Sequence, residues 1–209
     1  MIEIKNLSKK IKKTSVLSDI NLEFENGKIY GVFGRNGSGK TMLLRSIAGL
    51  IIPTSGKIIV DGKELHNDIS FPPNLGIIIE NMELLPQFNA YKNLKMLSKI
   101  KKVATDQDIE DAIERVGLSH VKDLKLKKYS LGMKQRLNIA QAIFEKPELL
   151  LLDEPTNAID EKGVELINEI LLEEKKRGCT IIIATHLKDD INSICDEIIR
   201  IDKGMIFNG

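Results

Sequence analysis

Apolar and polar residues change rhythm several times along this chain, and each change predicts a new element. From Ile2 to Leu22 the apolar positions alternate, first Ile2 and Ile4, then Val16/Leu17 and Ile20/Leu22/Phe24. Such alternation predicts antiparallel strands on one side of a core. The basic run Lys9-Lys-Ile-Lys-Lys13 between them reads as a solvated hairpin tip. Gly27 punctuates the pattern, and Lys28–Phe33 reads as a short buried strand ending at Gly34. The period then lengthens. Leu43, Leu44, Ile47 and Leu50 fall on one face of a helix predicted from Lys40 to Leu50. Pro53, Gly56 and Asp61-Gly62 mark turns around a further strand, Lys57–Val60.

From about Asn81 to Lys128 the character is helical. Asn89 is placed to cap a helix through Leu94, Leu97 and Ile100. Thr105-Asp-Gln-Asp108 has the spacing of a capping box, with Asp in place of the usual Glu. Ile109, Ala112, Ile113 and Val116 repeat at helical spacing, and Gly117 supplies the stop. Beyond this insertion the pattern predicts a helix (Leu131–Glu145), a strand (Leu149–Leu152), a helix (Lys162–Arg177) and a strand (Thr180–Ala184). A helix (Asp189–Cys195) and a hairpin about Lys203-Gly204 follow. Strands alternating with helices predict parallel pairing through right-handed crossovers. The chain reads as one α/β domain over residues 1–209, with 1–80 and 131–209 as the core and 81–130 as a helical subdomain. No internal repeat interrupts it.

Composition narrows the functional classes. The 209 residues carry 31 Lys and Arg against 30 Asp and Glu, a net charge of +1. That balance argues against a dedicated nucleic-acid binder, which needs a basic excess. Apolar runs such as Leu149–Leu152 and Ile181–Ala184 fall far short of the ~20 residues that span a bilayer. Membrane function would therefore need a partner chain. The opening Met1-Ile-Glu-Ile-Lys is not expected to be a signal peptide. Two cysteines, Cys179 and Cys195, lack metal-ligand spacing and fit a reduced intracellular protein.

Chemistry concentrates in three segments. Gly34-Arg35-Asn36-Gly37-Ser38-Gly39-Lys40-Thr41 satisfies the phosphate-loop pattern between a buried strand and a helix. Its glycines let backbone N–H groups converge on phosphate oxygens, aided by the helix dipole. Lys40 is suited to the β- and γ-phosphates, and the Thr41 hydroxyl to Mg²⁺. Leu149-Leu-Leu-Leu-Asp153-Glu154 sends two carboxylates out of the C-terminal end of a buried strand. Asp153 is suited to holding Mg²⁺ and Glu154 to polarising an attacking water. In Tyr129-Ser-Leu-Gly-Met-Lys-Gln-Arg136, Ser130 is a strong N-cap, so its hydroxyl and the nearby N–H groups make an anion site. Taken alone, that segment also reads as an ordinary capped helix.

With these motifs in this order, the chain closely resembles the nucleotide-binding subunits of ATP-binding cassette (ABC) transporters over nearly its whole length. The resemblance adds a D-loop, Asn157-Ala-Ile-Asp160, and a switch histidine, His186, in Ala-Thr-His. It implies a P-loop NTPase core with a mostly parallel sheet, an N-terminal antiparallel β subdomain and a helical insertion. ATP and Mg²⁺ are the implied ligands. Two subunits, identical or different, would share each site. Lys40, Thr41 and Asp153 would come from one, and Ser130 and Gly132 from the other. Glu154 would be the general base, His186 would hold the γ-phosphate and Asp160 would communicate between subunits. A separate transmembrane permease would be driven from the cytoplasmic face of the membrane, with no other membrane contact.

The chain departs from the family pattern at three places. The family's Leu-Ser-Gly-Gly-Gln signature is here Tyr129-Ser-Leu-Gly-Met, and the adenine-stacking aromatic aligns with Ile11. The loop that usually carries glutamine reads Gly76-Ile-Ile-Ile-Glu80-Asn, placing a carboxylate where it could reach Mg²⁺. The signature string with the glutamate loop looks like the subgroup that exports bacitracin and lantibiotics, whose members commonly have a longer C-terminal tail. Alternatives are a soluble ABC-type ATPase in translation or DNA maintenance, and a metabolite kinase, which would leave the signature and His186 unexplained.

Overall fold

In the computed structural model, which describes residues 1–79, 84–187 and 192–207, two sheets are joined through one buried apolar layer. The first is antiparallel. Strands β1 (Ile2–Ile11) and β2 (Thr14–Phe24) form a hairpin that turns at Lys12-Lys13. β4 (Ser55–Val60) pairs with the other edge of β1, and β5 (Lys63–Glu64) completes the order β2-β1-β4-β5. The predicted alternation is realised here, with Ile2, Ile4, Leu7, Leu17, Ile20 and Phe24 all buried.

The second sheet is built from β3 (Ile29–Phe33), β6 (Leu75–Ile78), β7 (Leu149–Asp153), β8 (Thr180–Thr185), β9 (Glu197–Asp202) and β10 (Met205–Phe207). Its order is β10-β9-β3-β8-β7-β6, parallel except for the terminal β9–β10 hairpin. Both faces are covered, which explains why β7 reads as an uninterrupted apolar run. Leu149 and Leu151 pack with α1 (Lys40–Ile47) and the antiparallel sheet. Leu150 and Leu152 point the other way, into a core shared with α4 (Leu131–Ile143) and α5 (Glu161–Lys176). The helical insertion joins that second core. From α2 (Ala90–Lys101) and α3 (Asp106–Arg115) it contributes Leu94, Ile109, Ala112 and Ile113.

The caps read from the sequence are present. Asn89 Oδ1 accepts from Lys92 N–H at 2.9 Å, and Thr105 and Asp108 form both halves of the capping box. Four expectations need correction. α1 ends at Ile47, because Gly49 turns the chain with φ +77°, and Leu50 is consequently 56% exposed rather than buried. Ile100 lies on the outer side of α2 and is also exposed. The segment taken only as a glutamate-bearing loop begins as β6, an edge strand paired with β7. Of the helix expected over 189–195, residues 192–194 form a turn and 189–191 lie outside the described residues. Among the described residues no helix is long and apolar enough to cross a membrane.

A charge cluster ties the insertion to the core. Glu174 on α5 is 3% exposed in its side chain, yet it accepts from Arg115 Nη1 on α3 at 2.7 Å and from Arg177 Nε at 3.0 Å. Arg177 also donates to the Pro147 carbonyl. Removing the carboxylate leaves two cations facing a cavity. Glu174→Ala should therefore lower the unfolding free energy by about 2–3 kcal/mol, less than for a fully buried pair because the guanidinium groups are part-exposed. A urea titration measures this, and a loss below about 0.5 kcal/mol would reduce the cluster to an ordinary surface pairing.

Candidate nucleotide site

The phosphate loop, residues 34–41, connects the end of β3 to the start of α1. Gly39 occupies the N-cap of α1 with φ +112°, a conformation that L side chains rarely adopt. Arg35, Asn36 and Gly37 are exposed on the outside of the loop, whereas Ser38 and Lys40 are buried. The Ser38 Oγ has no hydrogen-bond partner among the described residues. Lys40 Nζ donates back to the Gly34 carbonyl at 2.8 Å and to that of Arg35 at 3.4 Å. The loop thus folds around its own lysine.

The carboxylates of β7 arrive opposite. Thr41 Oγ1 donates to Asp153 Oδ2 at 2.6 Å, joining α1 to β7. Glu154 follows with φ +49°, and its carboxylate sits 3.8 Å from Lys40 Nζ. Glu154 Oε2 accepts from Thr185 Oγ1 at 2.8 Å. Its Oε1 lies 2.8 Å from His186 Nδ1 and accepts from His186 N–H at 3.1 Å. The β7–β8 pairing makes this arrangement possible, since Asp153 is in register with Ala184 and the two strands end together. Lys40, Thr41, Asp153, Glu154 and His186 therefore converge at one edge of the sheet. A cleft of about 900 Å³, with Gly34, Arg35, Asn36, His186 and Arg200 on its walls, opens beside the loop.

Three further predicted residues, Ser130, Asp160 and Ile11, lie on other elements. Ser130 is the N-cap of α4, with Oγ accepting from Met133 N–H at 3.2 Å, and is exposed. Asp160 occupies the N-cap position of α5, but its side chain makes no capping bond. Ile11 ends β1 beside the hairpin turn and is 45% exposed. Glu80 lies outside the described residues.

Comparison with known proteins decides the family. The ABC transporter family model matches residues 17–157. The chain belongs to the ABC transporter family. It is 64% identical over 206 residues to an uncharacterized ABC transporter ATP-binding protein, YybJ, of Bacillus subtilis, covering 99% of this chain and 94% of that one. It is 36% identical over 210 residues to the lantibiotic transport ATP-binding protein SrtF of Streptococcus pyogenes, covering 100% and 88%. With the bacitracin transport ATP-binding protein BcrA of Enterococcus faecalis it shares 40% identity over 200 residues, covering 95% and 65%. A solved dimeric ABC transporter cassette, MJ0796, superposes with a TM-score of 0.90 at 25% identity, covering 100% and 97%.

As an ABC ATP-binding subunit, the chain has the expected α/β cassette fold and is an ATPase. Two residues of the cluster carried no assignment in the sequence reading. Thr185 holds Glu154 from β8, and Gln135 on α4 donates Nε2 to the carbonyls of Glu154 and Pro155 at 3.3 and 3.1 Å. Thr185 was visible beside the switch histidine. Gln135 lay within the quoted signature string, but only the fold brings it to β7.

Neither cysteine belongs to this cluster. Cys179 is fully buried and Cys195 half-buried, and burial pushes both thiols up to about 12. The folded-state thiolate is thus the disfavoured form of both cysteines. A disulfide reagent at pH 8 should label the native chain at least ~100-fold more slowly than the unfolded one. Stoichiometric labelling of native protein within seconds would contradict this.

Proposed function

We propose that this ABC subunit hydrolyses MgATP at sites shared between two subunits and drives a separate transmembrane permease from the cytoplasmic face of the membrane. The observation that carries this reading is Glu154, held at once by Thr185 and His186 and placed 3.8 Å from Lys40. A carboxylate so fixed is pre-aimed to take a proton from an attacking water, while Lys40 faces the phosphates. His186, at hydrogen-bond distance from Glu154, is poised to hold that water and the γ-phosphate together.

The Thr41–Asp153 pair offers the hard oxygen donors that Mg²⁺ prefers, and Mg²⁺ typically relies on one or two carboxylates plus substrate phosphates. When bound, the ion neutralises charge on the β- and γ-phosphates. Glu80 would reach the same metal, and Ile11 would offer an apolar surface to adenine. Ser130 and Gly132, far from the chain's own phosphate loop in function, would close the site of a second copy or a paralogue. Asp160, with no capping duty, would lie at that junction. The names of SrtF and BcrA support an antimicrobial peptide or similar drug as the exported substrate.

Glu154→Gln retains the shape of the side chain but loses the base. Turnover should fall by about 10²-fold or more, and bound ATP should persist and hold two subunits together. Gel filtration with MgATP is expected to show a nucleotide-dependent dimer in this variant. Monomeric elution at high protein and ATP concentration, with normal turnover, would overturn both the base and the shared site.

A further inference from the structure

We infer that Gln135 is a positioning residue that sets the backbone of Glu154 and links it mechanically to the Ser130 end of α4. The inference rests on the proposed role of Glu154 and deepens it. The carboxylate of Glu154 is held by Thr185 and His186, but its backbone needs separate support. Glu154 has φ +49° and Ala158, four residues on, has φ +62°. Non-glycine residues persist in that region only where their surroundings hold them there.

On one side the support comes from β8, because Glu154 N–H donates to the Ala184 carbonyl at 2.8 Å. On the other side it comes from α4. Gln135 Nε2 is shared between the Glu154 carbonyl at 3.3 Å and the Pro155 carbonyl at 3.1 Å. Its Oε1 accepts from Asn138 Nδ2 at 3.4 Å, which orients the amide with its donor towards those carbonyls. A second contact lies nearer the start of the same helix. A Cβ at Gly132 would come within 2.9 Å of the Ala158 carbonyl, so α4 approaches the 154–158 segment as closely as a glycine allows. Ser130 caps this helix, Gly132 packs on one end of the strained segment and Gln135 bonds the other. A displacement at Ser130 is thus passed by a rigid helix to the backbone that aims Glu154. In the shared-site dimer, closure around one nucleotide re-aims the carboxylate serving the other.

The required feature is an N–H donor, not bulk. Gln135→Met retains the approximate volume without a donor, and Gln135→Glu retains the shape with a carboxylate that repels both carbonyls until protonated. Turnover at saturating MgATP should fall by about tenfold or more in each, as small misplacements of a reacting group commonly cost that much. Binding of labelled ATP should stay within about twofold of wild type, because Lys40 and Thr41 bond to Gly34, Arg35 and Asp153 rather than through these carbonyls. The turnover of Gln135→Glu relative to wild type should rise as pH falls from 8 to 6, when the introduced carboxyl gains a proton to donate.

Wild-type turnover in both variants would overturn the inference. So would parallel losses of ATP affinity and turnover, which mark a general structural role, or a relative turnover of Gln135→Glu that does not rise on acidification. Glu154→Gln, measured alongside, separates this inference from its basis. Normal hydrolysis there removes the assignment of Glu154 itself. Lost hydrolysis there, with wild-type turnover in both Gln135 variants, overturns the positioning role alone.

Discussion

The parallel strands β9, β3, β8, β7 and β6 are covered on both faces, by α1 and the antiparallel sheet on one side and by α4, α5 and the helical insertion on the other. For the inner strands of a sheet buried in this way, the backbone is open to a ligand only at the strand ends. Polar side chains that must meet a ligand therefore gather at the carboxyl edge, where the loops leave the core. β3 ends in the phosphate loop, β7 in Asp153 and Glu154, and β8 in Thr185 and His186. The register of β7 with β8 puts Asp153 opposite Ala184, so a one-residue slip would separate Glu154 from both Thr185 and His186.

At that edge the chemistry is arranged by mutual constraint. Lys40 is buried, and its ammonium is satisfied by loop carbonyls and by the carboxylate of Glu154 nearby. Thr41 and Asp153 hold each other across the gap between helix and strand. A polyphosphate entering the loop would meet groups already in place, and catalysis by positioning and electrostatics suits phosphoryl transfer, which asks little covalent chemistry of the protein. The helical insertion is not loosely appended. It shares an apolar core with α4, the helix that also carries Ser130 and Gln135, and is clamped to α5 by Arg115 and Glu174.

Much of this was legible before the fold was seen. The phosphate loop, the two carboxylates and the capped helices depend on residues adjacent in sequence, and local spacing reports them well. Less was legible where tertiary partners decide. Leu50 fits the apolar stripe of α1, but Gly49 ends the helix first. The strand at 75–78 is too short to declare itself by period, and only pairing with β7 defines it. Gln135 looks like one more polar residue on a helix until α4 is laid against Glu154 and Pro155. Asp160 stands at the N-cap position of α5, yet its side chain makes no capping bond, a distinction that only geometry draws.

That each site borrows half its residues from a second subunit is the central claim, and subunit complementation tests it most directly. Lys40→Ala disables the phosphate loop, while Ser130→Asp retains a good N-cap and sets a negative charge against the partner's phosphate. Each variant alone should be inactive. In a mixed dimer one of the two sites would contain both Lys40 and Ser130, so equal mixing should restore activity well above either variant, up to about a quarter of wild-type ATPase activity. Activity that never exceeds the sum of the separate variants, in mixtures shown to contain mixed dimers, would contradict the shared site.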